Sequence, residues 1–278
     1  MSSVKSQSVS LRDLWSTIAP SGFKRQLFML LRGYADESYG DKVFVLASLV
    51  APSGAWLTIT QAWRRFLKGE NKRLGINLER FHASDCYCGK AQFEGIPNAD
   101  RFSMTKRFME IATSQISHAT VFIVHFEDLR ELYSGGQHHL LKCAYEITTA
   151  FTIDYFGEQV GGLNSSLSLV VEGATANQVI LDTYNAYKED PNYKHGNVFK
   201  SIAFQNWRDC VALQPSDLIA YYAMKEAVRY KWKKDASLNP IFDSLLHLDN
   251  FGIAMKYVPK RSLQKLTHYK YAKLRSGV

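Results

Sequence analysis

Hydrophobic and polar positions along the chain follow two periods, one typical of strands and one typical of helices. An apolar, β-branched pair of segments with a glycine- and aspartate-containing turn at 38–41 predicts an antiparallel hairpin near the start of the chain. Together with shorter or continuous apolar runs, this pattern predicts strands over residues 31–36, 42–50, 79–83, 119–126, 167–171 and 198–203. Apolar residues at helical spacing predict helices over residues 55–68, 101–117, 137–155, 177–188 and 216–232.

The order of these elements predicts the fold class. After the opening hairpin, strands alternate with helices, which is typical of a three-layer α/β domain with a mixed central sheet. We assign this domain to residues 31–237, with an N-terminal extension over 1–30 and a basic C-terminal extension over 238–278.

Several features of the sequence bear on the compartment. No apolar run reaches the ~18 residues of a membrane-spanning helix, and the serine-rich N-terminus lacks the apolar core of a secretory signal. The four cysteines have no spacing typical of a metal site, and a chain of this length needs no disulfides. We therefore expect a cytoplasmic protein with reduced thiols.

The positive charge of the chain is concentrated at one end. Residues 225–278 contain 12 Lys and Arg against 4 Asp and Glu, which equals the whole net charge of +8. Four tyrosines and Trp232 lie among these bases, and bases with aromatic rings suit nucleic acid, because counterion release gives affinity and rings stack on bases. A solvated tail that aids solubility is the alternative. A protein partner or a second copy of the chain stays open.

Candidate chemistry lies where predicted strands end and a helix begins. Asp36 and Glu37 close the first strand, Glu172 closes the strand over 167–171, and Asp217 opens the last predicted helix. Each acid alone has a simpler explanation, as a turn residue, a solvated strand end or a favourable helix N-terminal charge. Ligands of open α/β sheets, however, bind beyond the carboxyl ends of the strands. Carboxylates that converge there repel one another unless cations bind, and Mg²⁺ prefers such oxygen ligands.

The histidines are weaker candidates. His82 and Asp85, at the mouth of the predicted strand 79–83, are candidates for proton transfer or substrate contact, although a hydrogen-bonded structural role is the alternative for His82. His125, within an apolar strand, favours a role in the core. The glycine-rich phosphate-binding motifs and the Gly-x-Ser-x-Gly motif do not occur, so nucleotide binding of those types and serine-triad hydrolysis lack support.

Three segments, in the same order, resemble the bacterial "domain of unknown function 3800" family. Residues 33–38 (GYADES), followed by the strand sequence VFVLA, are similar to the family's opening Tyr-x-Asp-Glu-Ser-Gly, with Tyr39 in place of the last glycine. The second segment is RFHASD at 80–85. The third, LQPSDLIAY at 213–221, is similar to the family's Leu-Gln-x-Ala-Asp-Leu-x-Ala-Tyr, with Ser216 in place of the first alanine. The resemblance covers residues 31–229.

The resemblance implies a ribonuclease-H-like fold, in which a central sheet carries acids on its first strand, on a later strand and on a late helix. It implies a Mg²⁺- or Mn²⁺-dependent nuclease with Asp36, Glu172 and Asp217 as metal ligands. Asp36 would bridge two ions about 4 Å apart, and the other two acids would each hold one. Glu37 faces the other side of the strand by alternation, but would reach the site if the strand ended at Asp36.

The setting in which members of this family usually occur implies a biological role in bacterial defence or mobile-element biology. A second class of function stays open, namely a catalytically weak nucleic-acid- or protein-binding module on the same fold. The three carboxylates favour the enzyme, whereas the lack of a clear fourth acid favours the module.

Overall fold

The computed structural model describes residues 29–161, 165–173, 176–232, 239–242 and 253–263. In these ranges the strands are β1 (Met29–Tyr39), β2 (Val43–Pro52), β3 (His118–His125), β4 (Ser165–Glu172), β5 (Phe199–Gln205) and β6 (Ile253–Tyr257). The α-helices there are α1 (Ser53–Leu74), α2 (Ala83–Cys88), α3 (Asn98–Thr113), α4 (Phe126–Leu132), α5 (Gln137–Val160), α6 (Asn177–Glu189) and α7 (Gln214–Trp232).

The six strands form one mixed sheet in the order β5-β4-β1-β2-β3-β6. β2 is antiparallel to β1 and β3, while the pairs β1–β4, β4–β5 and β3–β6 are parallel. Because β1, β4 and β5 run in the same direction, their carboxyl ends meet at one edge of the sheet. β1 lies between β2 and β4, so the end of β1 is flanked by protein on both sides.

Helices cover both faces of the sheet, which gives three layers. Inward-facing residues alternate along the strands: Tyr34 and Val45 pack with Trp63 on one face, and Ala35 and Phe44 pack on the other. α7 contacts β1 and β2 on the first face, and α5 contacts β2 and β3 on the second. The predicted α/β class with a mixed sheet is therefore confirmed. None of the helices in the described ranges is long and apolar enough to cross a membrane.

Gly33 marks a close approach in the centre of the sheet. A Cβ atom at this position would lie 2.6 Å from Leu169 Cδ2 and 3.1 Å from Val50 Cγ2. Side chains from both neighbouring strands therefore use the space that any larger residue would need. A glycine three residues before Asp36 allows β1 to be packed from both sides.

The predicted elements differ from the observed ones at a few places. All five predicted helices are present, although α1 and α5 extend further, to Leu74 and Val160. The predicted strand over 79–83 is wrong, because residues 79–82 pair with no strand and α2 begins at Ala83. The Phe81 N–H instead donates a hydrogen bond to the Gln214 side chain. The helices α2 and α4 and the strand β6 were not predicted.

Part of the predicted C-terminal extension belongs to the body of the domain. β6 pairs with β3 in parallel, and the side chains of Phe242, Val258 and Leu263 are buried in the core. The boundary predicted at 237 therefore separates these residues from the sheet and core that they complete. The N-terminal extension lies outside the described residues, apart from Met29 and Leu30, which begin β1.

Some bases of the C-terminal region bind the protein's own acids. Lys231 pairs with Glu127 of α4, and Lys260 pairs with Glu131 of the same helix. Arg229 pairs with its neighbour Glu226 on α7. These contacts neutralise part of the positive charge that was predicted to bind a polyanion. The bases outside the described residues are Lys233, Lys234, Lys265, Lys270, Lys273 and Arg275.

Replacement of Phe242 by alanine tests whether this region is structural. Phe242 is 0% exposed, so we expect Phe242→Ala to lower the free energy of unfolding by about 3–5 kcal/mol. The matched control is Phe102→Ala on α3, where the ring is 44% exposed and the expected change is within about 0.5 kcal/mol. Chemical denaturation followed by circular dichroism measures both. Equal stability of the two variants would contradict the assignment of Phe242 to the core.

Candidate functional site

The pairing of β1 with β4 brings two carboxylates side by side. Ala35 and Val171 are partners in the parallel ladder, so the next residues, Asp36 and Glu172, are adjacent and project to the same face. The two side chains share a hydrogen bond. Asp36 is only 4% exposed, whereas Glu172, at the end of its strand, is partly buried.

The start of α7 supplies the third carboxylate. The Ser216 hydroxyl donates a hydrogen bond of 2.9 Å to the Tyr34 carbonyl, which ties the helix to β1. The next residue, Asp217, accepts a 3.0 Å hydrogen bond from the Ala83 N–H through Oδ2. The free N–H groups of a helix N-terminus favour negative charge at this position. The charges of Asp217 and Glu172 act on Asp36, so the three carboxylates lie in one neighbourhood.

Burial makes the negative charge of Asp36 unfavourable. The pKa of Asp36 is raised well above its usual range, first by burial and then by the charges of Asp217, Glu37 and Glu172. The hydrogen bond with Glu172 acts in the same direction. Nearby positive charge would act in the opposite direction and favour the ionised carboxylate.

The neighbours of Asp217 act on its pKa in both directions. Burial raises the pKa of Asp217, and the charge of Glu172 adds to this effect. The side chains of His82 and Arg80 and the N–H of Ala83 act in the opposite direction and lower the pKa. Asp217 is therefore influenced both by a neighbouring acid and by neighbouring groups that favour its negative charge.

Glu37 occupies the opposite face of β1, as strand alternation predicted. Its side chain hydrogen-bonds Tyr145 of α5, and its backbone N–H donates to Asp36 Oδ1 at 2.8 Å. Burial raises the pKa of Glu37, although the hydrogen bond from Tyr145 lowers it. Within the described part of the chain, Glu37 Oε2 is buried and has no hydrogen-bond partner. Since β1 continues to Tyr39, Glu37 lies behind the carboxylate pair.

His82 lies beside the carboxylates, in a different setting from the one predicted. It precedes α2 in an extended segment, and its Nδ1 is 2.7 Å from Asp85 Oδ2 on that helix. Both side chains are 30% exposed, and Asp85 orients the imidazole. His125 lies elsewhere, buried at the end of β3 and stacked on Tyr257 of β6, in agreement with the predicted core role.

The carboxylates open into a pocket of about 220 Å³ at the carboxyl edge of β1, β4 and β5. Its lining combines acidic, basic, aromatic and amide side chains: Arg80, Phe81, His82, Glu172, Trp207, Gln214 and Asp217. Asp36 is not part of this lining, since it lies almost fully buried next to Glu172. A ligand in the pocket would therefore touch Glu172 and Asp217 first.

Four residues that line this pocket were not predicted as site residues: Arg80, Phe81, Trp207 and Gln214. Gln214 Oε1 accepts hydrogen bonds from Trp63 Nε1 at 2.9 Å and from the Phe81 N–H at 3.1 Å. This amide locks the segment before α2 against the start of α7. Trp207 follows β5, and the Arg80 guanidinium lies 3.8 Å from the centre of its ring. One sequence signal could have indicated this part of the pocket. It is the dipeptide Trp207-Arg208, which directly follows a strand that ends at the same edge of the sheet.

The chemistry of the acidic residues fits a hard divalent cation. In the described ranges, no three His, Cys, Asp or Glu side chains already converge on a metal position, so binding would require side-chain rotation. The donor set is nevertheless composed of oxygens, and burial together with neighbouring negative charge makes the ionised Asp36 unfavourable unless a cation compensates it. Asp36, Glu172 and Asp217 are the residues that would hold the ion.

Two comparisons of the chain with known proteins found no match. No protein-family model matches the chain. No curated protein shows significant similarity to it. The resemblance to the "domain of unknown function 3800" family therefore stays a prediction.

Removal of the Asp36 charge tests the electrostatics of the cluster. A carboxyl group whose pKa is higher in the folded than in the unfolded state destabilises the protein as pH rises from the unfolded value through the folded value. We therefore expect Asp36→Asn, measured in chelator, to raise the melting temperature at pH 8 by roughly 2–4 °C, which corresponds to about 1 kcal/mol. Near pH 3 the gain should vanish, because Asp36 is then protonated in both states.

Asp41→Asn, at an exposed turn position, is the matched control and should change the melting temperature little at either pH. Calorimetry of the three proteins at pH 3 and pH 8 provides the comparison. A lower melting temperature of Asp36→Asn at pH 8 would show that the carboxylate is stabilised in the cluster, contrary to this account.

Proposed function

We propose that this protein is a divalent-metal-dependent nuclease of ribonuclease-H-like fold, which hydrolyses phosphodiesters with Mg²⁺ or Mn²⁺. The observation that carries the proposal is the convergence of Asp36, Glu172 and Asp217 from β1, β4 and α7 at one sheet edge. The strand order β5-β4-β1-β2-β3 with β2 antiparallel is that of ribonuclease-H-like domains, and supports the fold assignment.

The residues of the pocket have distinct parts in this activity. Asp36, Glu172 and Asp217 would hold a divalent ion, which would supply an activated water and stabilise charge on the phosphate oxygens. Asp36 is buried beside the other two acids, and the N–H of Ala83 keeps Asp217 in place. His82, oriented by Asp85, lies beside Asp217 and is placed to exchange a proton with a reacting oxygen.

The proposal includes a nucleic acid as substrate and a cytoplasmic location. All four cysteines lie in the described ranges and none forms a disulfide, which is compatible with a reducing compartment. A role in bacterial defence or mobile-element biology follows from the family resemblance alone. The alternative, a catalytically weak binding module, differs from the proposal in one measurable property, since it binds without cleaving.

Cleavage of labelled single-stranded and double-stranded DNA and RNA in Mn²⁺ tests the proposal. We expect the wild-type protein to cleave at least one of these substrates, and Asp36→Asn and Asp217→Asn to reduce the rate by at least about a hundredfold. Loss of supporting groups around a metal ion already costs about 10- to 100-fold. Asp209→Asn is the matched control, because Asp209 is an exposed acid near the same edge.

The outcomes separate enzyme from binding module. Cleavage that depends on Mn²⁺, stops in chelator and survives Asp209→Asn supports the nuclease. Cleavage that persists in Asp36→Asn or in chelator excludes this mechanism. Binding of a nucleic acid without any cleavage by the folded wild-type protein supports the module.

A further inference from the structure

Part of the pocket lining is a stack of a cation on an aromatic ring. The guanidinium carbon of Arg80 lies 3.8 Å from the centre of the Trp207 ring, and both side chains line the pocket with Glu172 and Asp217. Arg80 comes from the segment before α2 and Trp207 from the segment after β5. Two separate parts of the chain thus build this part of the lining.

We propose that Arg80, held against Trp207, is the phosphate-binding arm of the pocket, and that it binds the sugar-phosphate backbone of a nucleic-acid strand next to the carboxylates. The inference rests on the proposed nuclease function, because it names the group that recognises the backbone of its substrate. Arg80 contacts the substrate, whereas Trp207 acts as a positioning residue for Arg80.

The first argument concerns the hydrogen-bonding capacity of Arg80. A guanidinium group has five N–H donors, and stacking on a ring uses none of them. Across the described residues, the Arg80 guanidinium takes part in no hydrogen bond or ion pair, and its influence on Asp217 acts through space. Arg80 is partly buried, and its N–H donors are not used within the described part of the protein. Such a guanidinium is suited to bidentate recognition of a phosphate.

The second argument concerns charge. Arg80 lines the same pocket as Glu172 and Asp217, and its charge acts on Asp217. An anion in this pocket would be attracted both by Arg80 and by a cation held on the carboxylates, and a phosphate group has oxygens to offer to both at once. A neutral substrate such as a peptide or a sugar would leave the charge of Arg80 without a counterpart.

The third argument concerns the direction in which a longer ligand would extend. The guanidinium of Arg208 also lies 4.7 Å from the centre of the Trp207 ring, but Arg208 is exposed whereas Arg80 is partly buried. Positive charge therefore continues from the pocket, past the indole, to the surface. This arrangement fits a chain of phosphates rather than a single small anion.

The proposed role of Arg80 is tested by the binding of a fluorescently labelled single-stranded oligonucleotide. Binding is measured by anisotropy in chelator, so that no cleavage occurs. We expect Arg80→Ala to weaken binding about tenfold, and to reduce the slope of log affinity against log salt by about 0.7, which corresponds to one phosphate contact. Arg80→Lys should give an intermediate loss, because the charge remains but the planar donor fork is lost. Arg65→Ala, an exposed site on α1, removes the same charge and should change affinity less than twofold.

The role of Trp207 is tested by a double-mutant cycle. If the indole acts by holding Arg80, Trp207→Ala weakens binding in the wild-type background but has less than a twofold effect in the Arg80→Ala background. Losses that multiply would show that Trp207 contacts the strand itself, and would overturn its assignment as a positioning residue. Equal thermal melts of all variants show that the fold is retained.

The readouts separate this inference from the proposed function. An Arg80→Ala variant with the affinity and salt slope of Arg65→Ala overturns the phosphate arm, even if Asp36→Asn abolishes cleavage. Binding that depends on Arg80 in a protein that cleaves nothing would overturn the nuclease and leave the arm in place.

Discussion

The parallel pairing of β1 with β4 is the constraint on which the rest of the site depends. Their register puts Asp36 beside Glu172 on one face of the sheet, and Gly33 lets the side chains of Leu169 and Val50 fill the space beside β1. The helix α7 is then attached to β1 by the Ser216 hydroxyl, which places Asp217 at the same edge. A shift of this register by one residue would turn Asp36 to the opposite face.

This arrangement stores unfavourable electrostatic energy at a specific place. Burial and neighbouring negative charges raise the pKa of Asp36, so its ionised form is unfavourable in the absence of a cation. Such a cluster reduces stability, and proteins retain unfavourable groups of this kind at functional sites. In the proposed function, the same repulsion provides the driving force for binding a divalent cation.

The contacts of the charged residues favour the pocket, rather than the basic C-terminal region, as the place where a nucleic acid would bind. The basic C-terminal region was the first candidate, but Lys231 and Lys260 pair with acids of α4, and β6 completes the sheet. The pocket itself presents Arg80 on Trp207 together with Glu172 and Asp217. Positive charge that lies within the pocket and has unused donors is better suited to position a phosphate than charge already paired on the surface.

The sequence by itself determined the α/β class, the five longer helices and the strands that carry Asp36 and Glu172, because apolar periodicity and turn residues are local signals. The predicted end of the first strand at Asp36 was wrong, since β1 continues to Tyr39. The sequence also placed Asp217 at the start of a helix, and strand alternation put Glu37 on the other face. The elements that local signals missed are short ones, α2, α4 and β6, whose stability comes from packing.

Only the tertiary structure decided that Arg80, Trp207 and Gln214 join the carboxylates. Residue 80 and residue 207 are far apart along the chain, so no local pattern pairs the guanidinium with the indole. The segment at 79–83 was predicted as a strand, but the Gln214 side chain accepts the hydrogen bond from the Phe81 N–H that a strand would have paired. Contacts of this kind depend on which distant elements the fold brings together, and a local pattern carries no record of them.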